Sequence, residues 1–288
     1  MAIFLLFLTV CVLSSRGMLM KYASAGGSNL AQMIVIFGTA SIGSLLLGLA
    51  TGMLQIHAST VLYASIFGVF NFLSQYLYLR AMKTGMASKV VFISSCSFLL
   101  QAIFSIIAYH EPVSAFKAMG IVMVCCAQVC FSMRRGEVRR SGEKDPWFIL
   151  AVVSMVCSGL VGISQKMMGK SAYPNEVIGL SFIATTIATV LPSLLLSAKH
   201  EWKEQFAVMK NRRTLVLSIV LGFVAVVMNT LSTYVASLID GSIVFPVTNC
   251  GNLILSMFLG RLLFKDRLTK LQQLSVMLGI AAIIVIGL

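Results

Sequence analysis

Ten uninterrupted apolar stretches, each close to the length of a bilayer crossing, constrain this chain more than any single motif. They run at about 2–20, 30–50, 60–82, 86–109, 112–132, 147–166, 176–197, 213–236, 241–264 and 269–288. A membrane-spanning helix needs about 20 mostly apolar residues. In hydrocarbon only helices and closed barrels satisfy every backbone polar group, and these runs are continuous rather than alternating, so they predict helices. Of the 288 residues 58% are hydrophobic and 11% charged, against roughly half and a quarter in soluble domains. The expected fold class is an all-α polytopic membrane protein with ten transmembrane helices. Segment 2–20 has no Lys or Arg ahead of its apolar run and an internal counterpart, so it reads as a span rather than a signal peptide.

The spans fall into two sets of five. Residues 71–76 read Asn-Phe-Leu-Ser-Gln-Tyr and residues 229–234 read Asn-Thr-Leu-Ser-Thr-Tyr. Tyr78-x-x-Ala81 and Tyr234-x-x-Ser237 each precede a glycine, Gly85 and Gly241, that opens the next apolar run. The two pairings require offsets that differ by two residues (229 − 71 = 158, 234 − 78 = 156), so one is coincidental or a slip separates them. The charged connection 133–146 divides a first repeat, 1–132, from a second, 147–288. Because five is odd, the second repeat enters the membrane from the opposite side, giving two inverted five-helix repeats, the plan of alternating-access carriers.

The net charge of +13 would suit a nucleic-acid binder if it lay on a soluble surface. Here the excess lies in loops between spans, as the positive-inside rule requires, and no nucleic-acid partner is expected. Alternate connections carry nearly all of it: Lys21; Arg80 and Lys83; 133–146; Lys199 to Arg213; Arg261 to Lys270. The other set holds little beyond Lys117, Lys166 and Lys170. The basic set is expected to be cytoplasmic and both termini extracytoplasmic. The seven cysteines lie in apolar runs, without ligand-type spacing to His57, His110 or His200. They read as small buried apolar residues, and neither a metal nor a cofactor is expected. Gly48-x-x-x-Gly52 reads as a helix-packing motif.

All nine acids fall in loops or at span ends. A membrane enzyme would need a nucleophile with its base, or a metal cluster. With every acid and histidine outside the spans, no enzyme is expected. Two basic residues do lie inside spans, Arg16 and Lys89. Each either snorkels to the interface or takes an anionic group of a solute. Uncharged polar residues form four stripes at helical spacing. They are Asn71, Ser74, Gln75 and Tyr78 on the third span; Ser94, Ser97, Gln101 and Ser105 on the fourth; Asn229, Ser232 and Thr233 on the eighth; and Thr248, Asn249, Asn252 and Ser256 on the ninth. Interhelical hydrogen bonding explains any one of them. Four aligned stripes rich in amides, which need several partners each, suggest a wet cavity near the midplane.

The second half reads FPVTNCGNLILSMFLGRLLFKDRLT after its Tyr-x-x-Ser and glycine turn. This resembles the EamA-type domain of the ten-helix drug/metabolite transporter superfamily, with Asp266 in place of the usual glutamate. The first half resembles it more loosely, with Val90 or Val91 near the place of the proline. The resemblance covers essentially the whole chain, twice, and implies a carrier with cytoplasmic termini, opposite to the charge count. Small multidrug resistance proteins, distant relatives, use a mid-membrane carboxylate to exchange protons for cations. This chain has none, which disfavours such exchange.

The expected function is therefore secondary transport of a small neutral or zwitterionic metabolite, amino acid- or nucleoside-like, by alternating access. A facilitator or exchanger fits better than a proton pump. Expected substrate-binding residues are Asn71, Gln75, Tyr78, Lys89, Ser94, Gln101, Asn229, Ser232, Tyr234, Thr248, Asn249, Asn252 and Arg16. The alternative is a lipid-carrier flippase of the same fold, with Lys89 and Arg16 as its phosphate site. Expected partners are the solute and membrane lipid, for a monomer or homodimer. The expected location is a bacterial cytoplasmic membrane, since the chain lacks long tails and loops.

Overall fold

The computed structural model describes residues 1–23, 30–85, 87–133, 147–264 and 269–287. Residues 24–29, Met86, most of the basic connection (134–146), residues 265–268 with Asp266, and Leu288 lie outside them. The described residues form α1 (Ala2–Ala23), α2 (Leu30–Thr51), α3 (Ala58–Thr84), α4 (Ala87–Ser95), α5 (Ser97–Tyr109) and α6 (Ala115–Ser132). There follow α7 (Trp147–Gly169), α8 (Val177–Lys199), α9 (Trp202–Ala207), α10 (Arg212–Leu238), α11 (Gly241–Phe264) and α12 (Lys270–Gly287). No strand occurs among the described residues, and the described helices make ten spans long and apolar enough to cross a membrane, α4 and α5 together forming one of them, Lys89–Tyr109.

Three details depart from the reading of the sequence. The fourth span is broken at Cys96, whose N–H reaches both Phe92 O (3.2 Å) and Ile93 O (3.1 Å). The hydroxyl of Ser95 turns back to Phe92 O at 2.8 Å and meets Gln128 Oε1 of α6 at 3.0 Å. Such back-bonding bends helices. The basic stretch before α10, expected as loop, contains α9 and a 3-10 turn, Val208–Lys210. Finally, Gly52 is not a packing residue. Its φ of +65° places it just past the end of α2, where Met53 N donates to Gly48 O at 3.1 Å, the left-handed helix ending that glycine adopts without strain.

The chain divides into two compact units, and each draws on both repeats. The first is Met1–Ser14, Leu73–Ile163 and Ile239–Leu288; the second is Ser15–Phe72 and Ser164–Leu238. In the first unit α6 packs on α12 and α5 on α11, so the fourth and fifth spans of one repeat meet their counterparts from the other. Ser275 Oγ of α12 donates to Ala127 O of α6 at 2.8 Å. Ser74 and Ser154 exchange bonds, each hydroxyl to the other's carbonyl, at 3.2 and 3.0 Å.

In the second unit α2 packs on α8, again counterpart spans, and on α10. Ser41 meets Thr186 at 2.7 Å and Ser44 meets Ser181 at 3.2 Å, while Ala40 packs with Ala225 and Val226. Lipid tails are as apolar as the side chains, so helices here associate through close packing of small residues. Each interhelical hydrogen bond adds about 0.6 kcal/mol.

Candidate functional site

Within the second unit, Arg16 lies in α1, partly buried, and its Nη1 reaches Met228 Sδ of α10 at 3.6 Å. Asn229 is 4% exposed, on the packed face of α10 with Ala225 and Thr233. Asn71 of α3 is partly buried. Neither amide makes a side-chain hydrogen bond among the described residues. Ser232 is partly buried and likewise unbonded there. Tyr234 is 40% exposed, in line with the exposed apolar residues Val220, Phe223, Val227 and Leu238 on the outer stripe of α10.

In the first unit the amides split into two kinds. Gln101 is buried, with Nε2 donating to Ser158 O of α7 at 3.0 Å. It fits because residue 162 is glycine: a Cβ there would lie 2.4 Å from Gln101 Cδ and Nε2. Asn252 Oδ1 accepts from Ser14 Oγ of α1 at 3.0 Å and from Ser256 Oγ at 3.3 Å. Asn249 Nδ2 donates to Phe245 O of its own helix at 3.1 Å, and the Thr248 hydroxyl to Val244 O at 2.7 Å.

Gln101 and Asn252 thus bond across helices, the bland reading of polar residues in spans, whereas Asn249 and Thr248 bond carbonyls of their own helix. Gln75 and Tyr78 differ. Both are partly buried and neither has a side-chain hydrogen bond among the described residues. They follow Asn71 by one and two turns along the continuous α3, and the Tyr78 ring packs on Ala81, Val90 and Ala151. Ser94 Oγ is buried without a partner among the described residues. Lys89 is exposed.

Several groups were missed from sequence. Lys166, read as a loop charge at a span end, lies inside α7 with no exposure. Its signal was a second register of the repeat: Ser14-Ser15-Arg16 matches Ser164-Gln165-Lys166 at a shift of 150 (166 − 16). Glu176, before α8, is 3% exposed. Its Oε2 accepts from His57 N at 3.0 Å and from the Thr60 hydroxyl. Its Oε1 meets His57 Nδ1, and that imidazole stacks on Tyr173 at 3.7 Å between centroids.

A carboxylate only accepts, so Nδ1 carries the proton. Burial pushes the Glu176 carboxyl up, but the bonds from Thr60 and His57 outweigh it and hold it below the usual range. In the first unit Glu111 caps α11, taking Gly241 N at 2.8 Å and Ser242 N at 2.9 Å, where the helix end favours an anion. No cluster of metal-ligating side chains occurs among the described residues.

Comparison with known proteins bears on this geometry. The model of the EamA-like transporter family matches residues 1–133 and 145–288. A solved crystal structure of a protein superposes with a TM-score of 0.77 at 16% identity, covering 100% of this chain and 98% of that one. At that identity the likeness concerns fold alone. No curated protein matches in sequence.

Proposed function

The chain belongs to the EamA-like transporter family, of the drug/metabolite transporter superfamily, and from that premise we propose that it carries a small neutral or zwitterionic organic solute by alternating access. It is an integral membrane protein of transporter type. The observation that supports a polar solute is the pair of amides Asn71 and Asn229, unbonded among the described residues although both sit on packed helices. An amide left without partners in a membrane protein costs free energy, and a solute that supplies them recovers it on binding. Gln101 and Asn252 are assigned to bonds between helices.

The test is counterflow in proteoliposomes loaded in turn with amino acids, nucleosides and amines. Saturable exchange of one class, abolished by Asn71→Leu, supports the reading. Flipping of labelled phospholipid without solute exchange replaces it with the flippase. We place the basic loops on the cytoplasmic side and the termini outside. A cysteine added before Ala2 should then react with an impermeant maleimide in intact cells, and protection of that cysteine until the cells are lysed reverses the orientation.

A further inference from the structure

We propose that Arg16 binds a carboxylate of the transported solute, which narrows the solute to a carboxylate-bearing zwitterion such as an amino acid. This rests on the transport reading above and adds a charge requirement to it.

Arg16 sits inside the α1 span, Ala2–Met20. Its Nη1 reaches Met228, sixteen residues (228 − 212) after the start of α10 at Arg212 and ten (238 − 228) before its end at Leu238, about 15 Å along the axis from the nearer end. A thioether is a weak acceptor, whereas a guanidinium offers five N–H donors and keeps its charge. The membrane interior makes such a charge costly unless something answers it.

The chain supplies no such answer among the described residues. The second unit's acids are Glu176, Glu201 and Glu204. Both oxygens of Glu176 are taken by His57 and Thr60. Glu201 and Glu204 lie beyond the end of α8, in and beside α9. No ion pair joins Arg16 to a carboxylate among the described residues.

The residue following Met228 is Asn229, whose amide is unbonded there. A solute carboxylate suits Arg16, whose planar fork pairs with it through two parallel bonds, while Asn229 serves the polar remainder. One guanidinium balances a monovalent carboxylate rather than a doubly charged phosphate monoester. The repeat places a second cation, Lys166, at the matching position of α7.

Purified protein in detergent is melted against amino acids and against the amines that lack only their carboxylate. Amino acids should raise the melting temperature and the matched amines should not. Arg16→Gln should weaken the apparent Kd by about 10- to 100-fold, and Arg16→Lys, which keeps the charge, should lose less. The amine comparison needs only the wild-type protein, so it stands even if Arg16→Gln does not fold. Equal shifts from amine and amino acid overturn the carboxylate site while leaving the transport reading intact. So does an Arg16→Gln protein that binds amino acids normally. Shifts from inorganic phosphate or from phosphatidylglycerol vesicles alone overturn it in favour of a phosphate site. No shift from any solute overturns both.

Discussion

Removing the Glu176 carboxylate should unfasten two connections of the second unit at once, because it joins the loop before α3 to the one before α8. Glu176→Ala leaves the Thr60 hydroxyl, on a residue with no exposure, and the His57 N–H without their acceptor. The His57 ring is 47% exposed and can turn to water. Two stranded donors at 1–3 kcal/mol each give a loss of about 3 kcal/mol, or about 5–10 °C in melting temperature for a chain of this size. Glu176→Gln keeps one oxygen acceptor and should lose about half of that. The folded carboxyl lies below its ordinary value of 4.5. Its contribution is therefore present above that value and lost as the pH falls through it and below. Melting curves in detergent between pH 3 and 7 should show wild type and Glu176→Gln separated at neutral pH and converging on acidification. Equal stability at pH 7, or a gap that widens in acid, refutes the reasoning.

Other expectations are as direct. Gly162→Ala brings a Cβ within 2.4 Å of the Gln101 side chain and should cost about 1–3 kcal/mol of overpacking. Adding Gln101→Ala should return most of it, which a double-mutant cycle on thermal melts measures. Glu111→Gln removes the anion that receives two helix N–H groups and should cost about 2 kcal/mol. Lys117→Ala breaks a pair with Asp240 (3.0 Å), whose side chain is 40% exposed, and should cost less than about 1 kcal/mol.

The helices were legible because lipid leaves the chain few choices: the length of an apolar run fixes a span, and an odd number of spans per repeat fixes the inversion. Contacts between distant positions were not. Nothing local to His57 or Glu176 announces a bond across 119 residues. The Lys166 misassignment came from ending the span where the apolar run ended, while the helix continued to Gly169. The polar stripes could not separate amides that bond across helices from amides without a bond among the described residues. Gln101 and Asn71 look alike in sequence, and only the carbonyl of Ser158 distinguishes them. Tyr234 followed its repeat motif, yet α10 turns it onto an exposed apolar stripe. The bend at Cys96 depends on Gln128 of another helix, beyond the reach of local propensity.

The most direct test of the account is ligand-dependent thermal stability of wild type, Asn71→Leu and Asn229→Leu across a panel of amino acids, nucleosides and amines. A ligand that binds only the folded state raises stability by RT ln(1 + [L]/Kd). The account predicts a solute that stabilises wild type by about 2.7 kcal/mol at a hundredfold excess over Kd. Both variants should fold normally and lose that shift. A solute that stabilises both variants as well as wild type contradicts it, because Asn71 and Asn229 would then serve the helices and not the cargo.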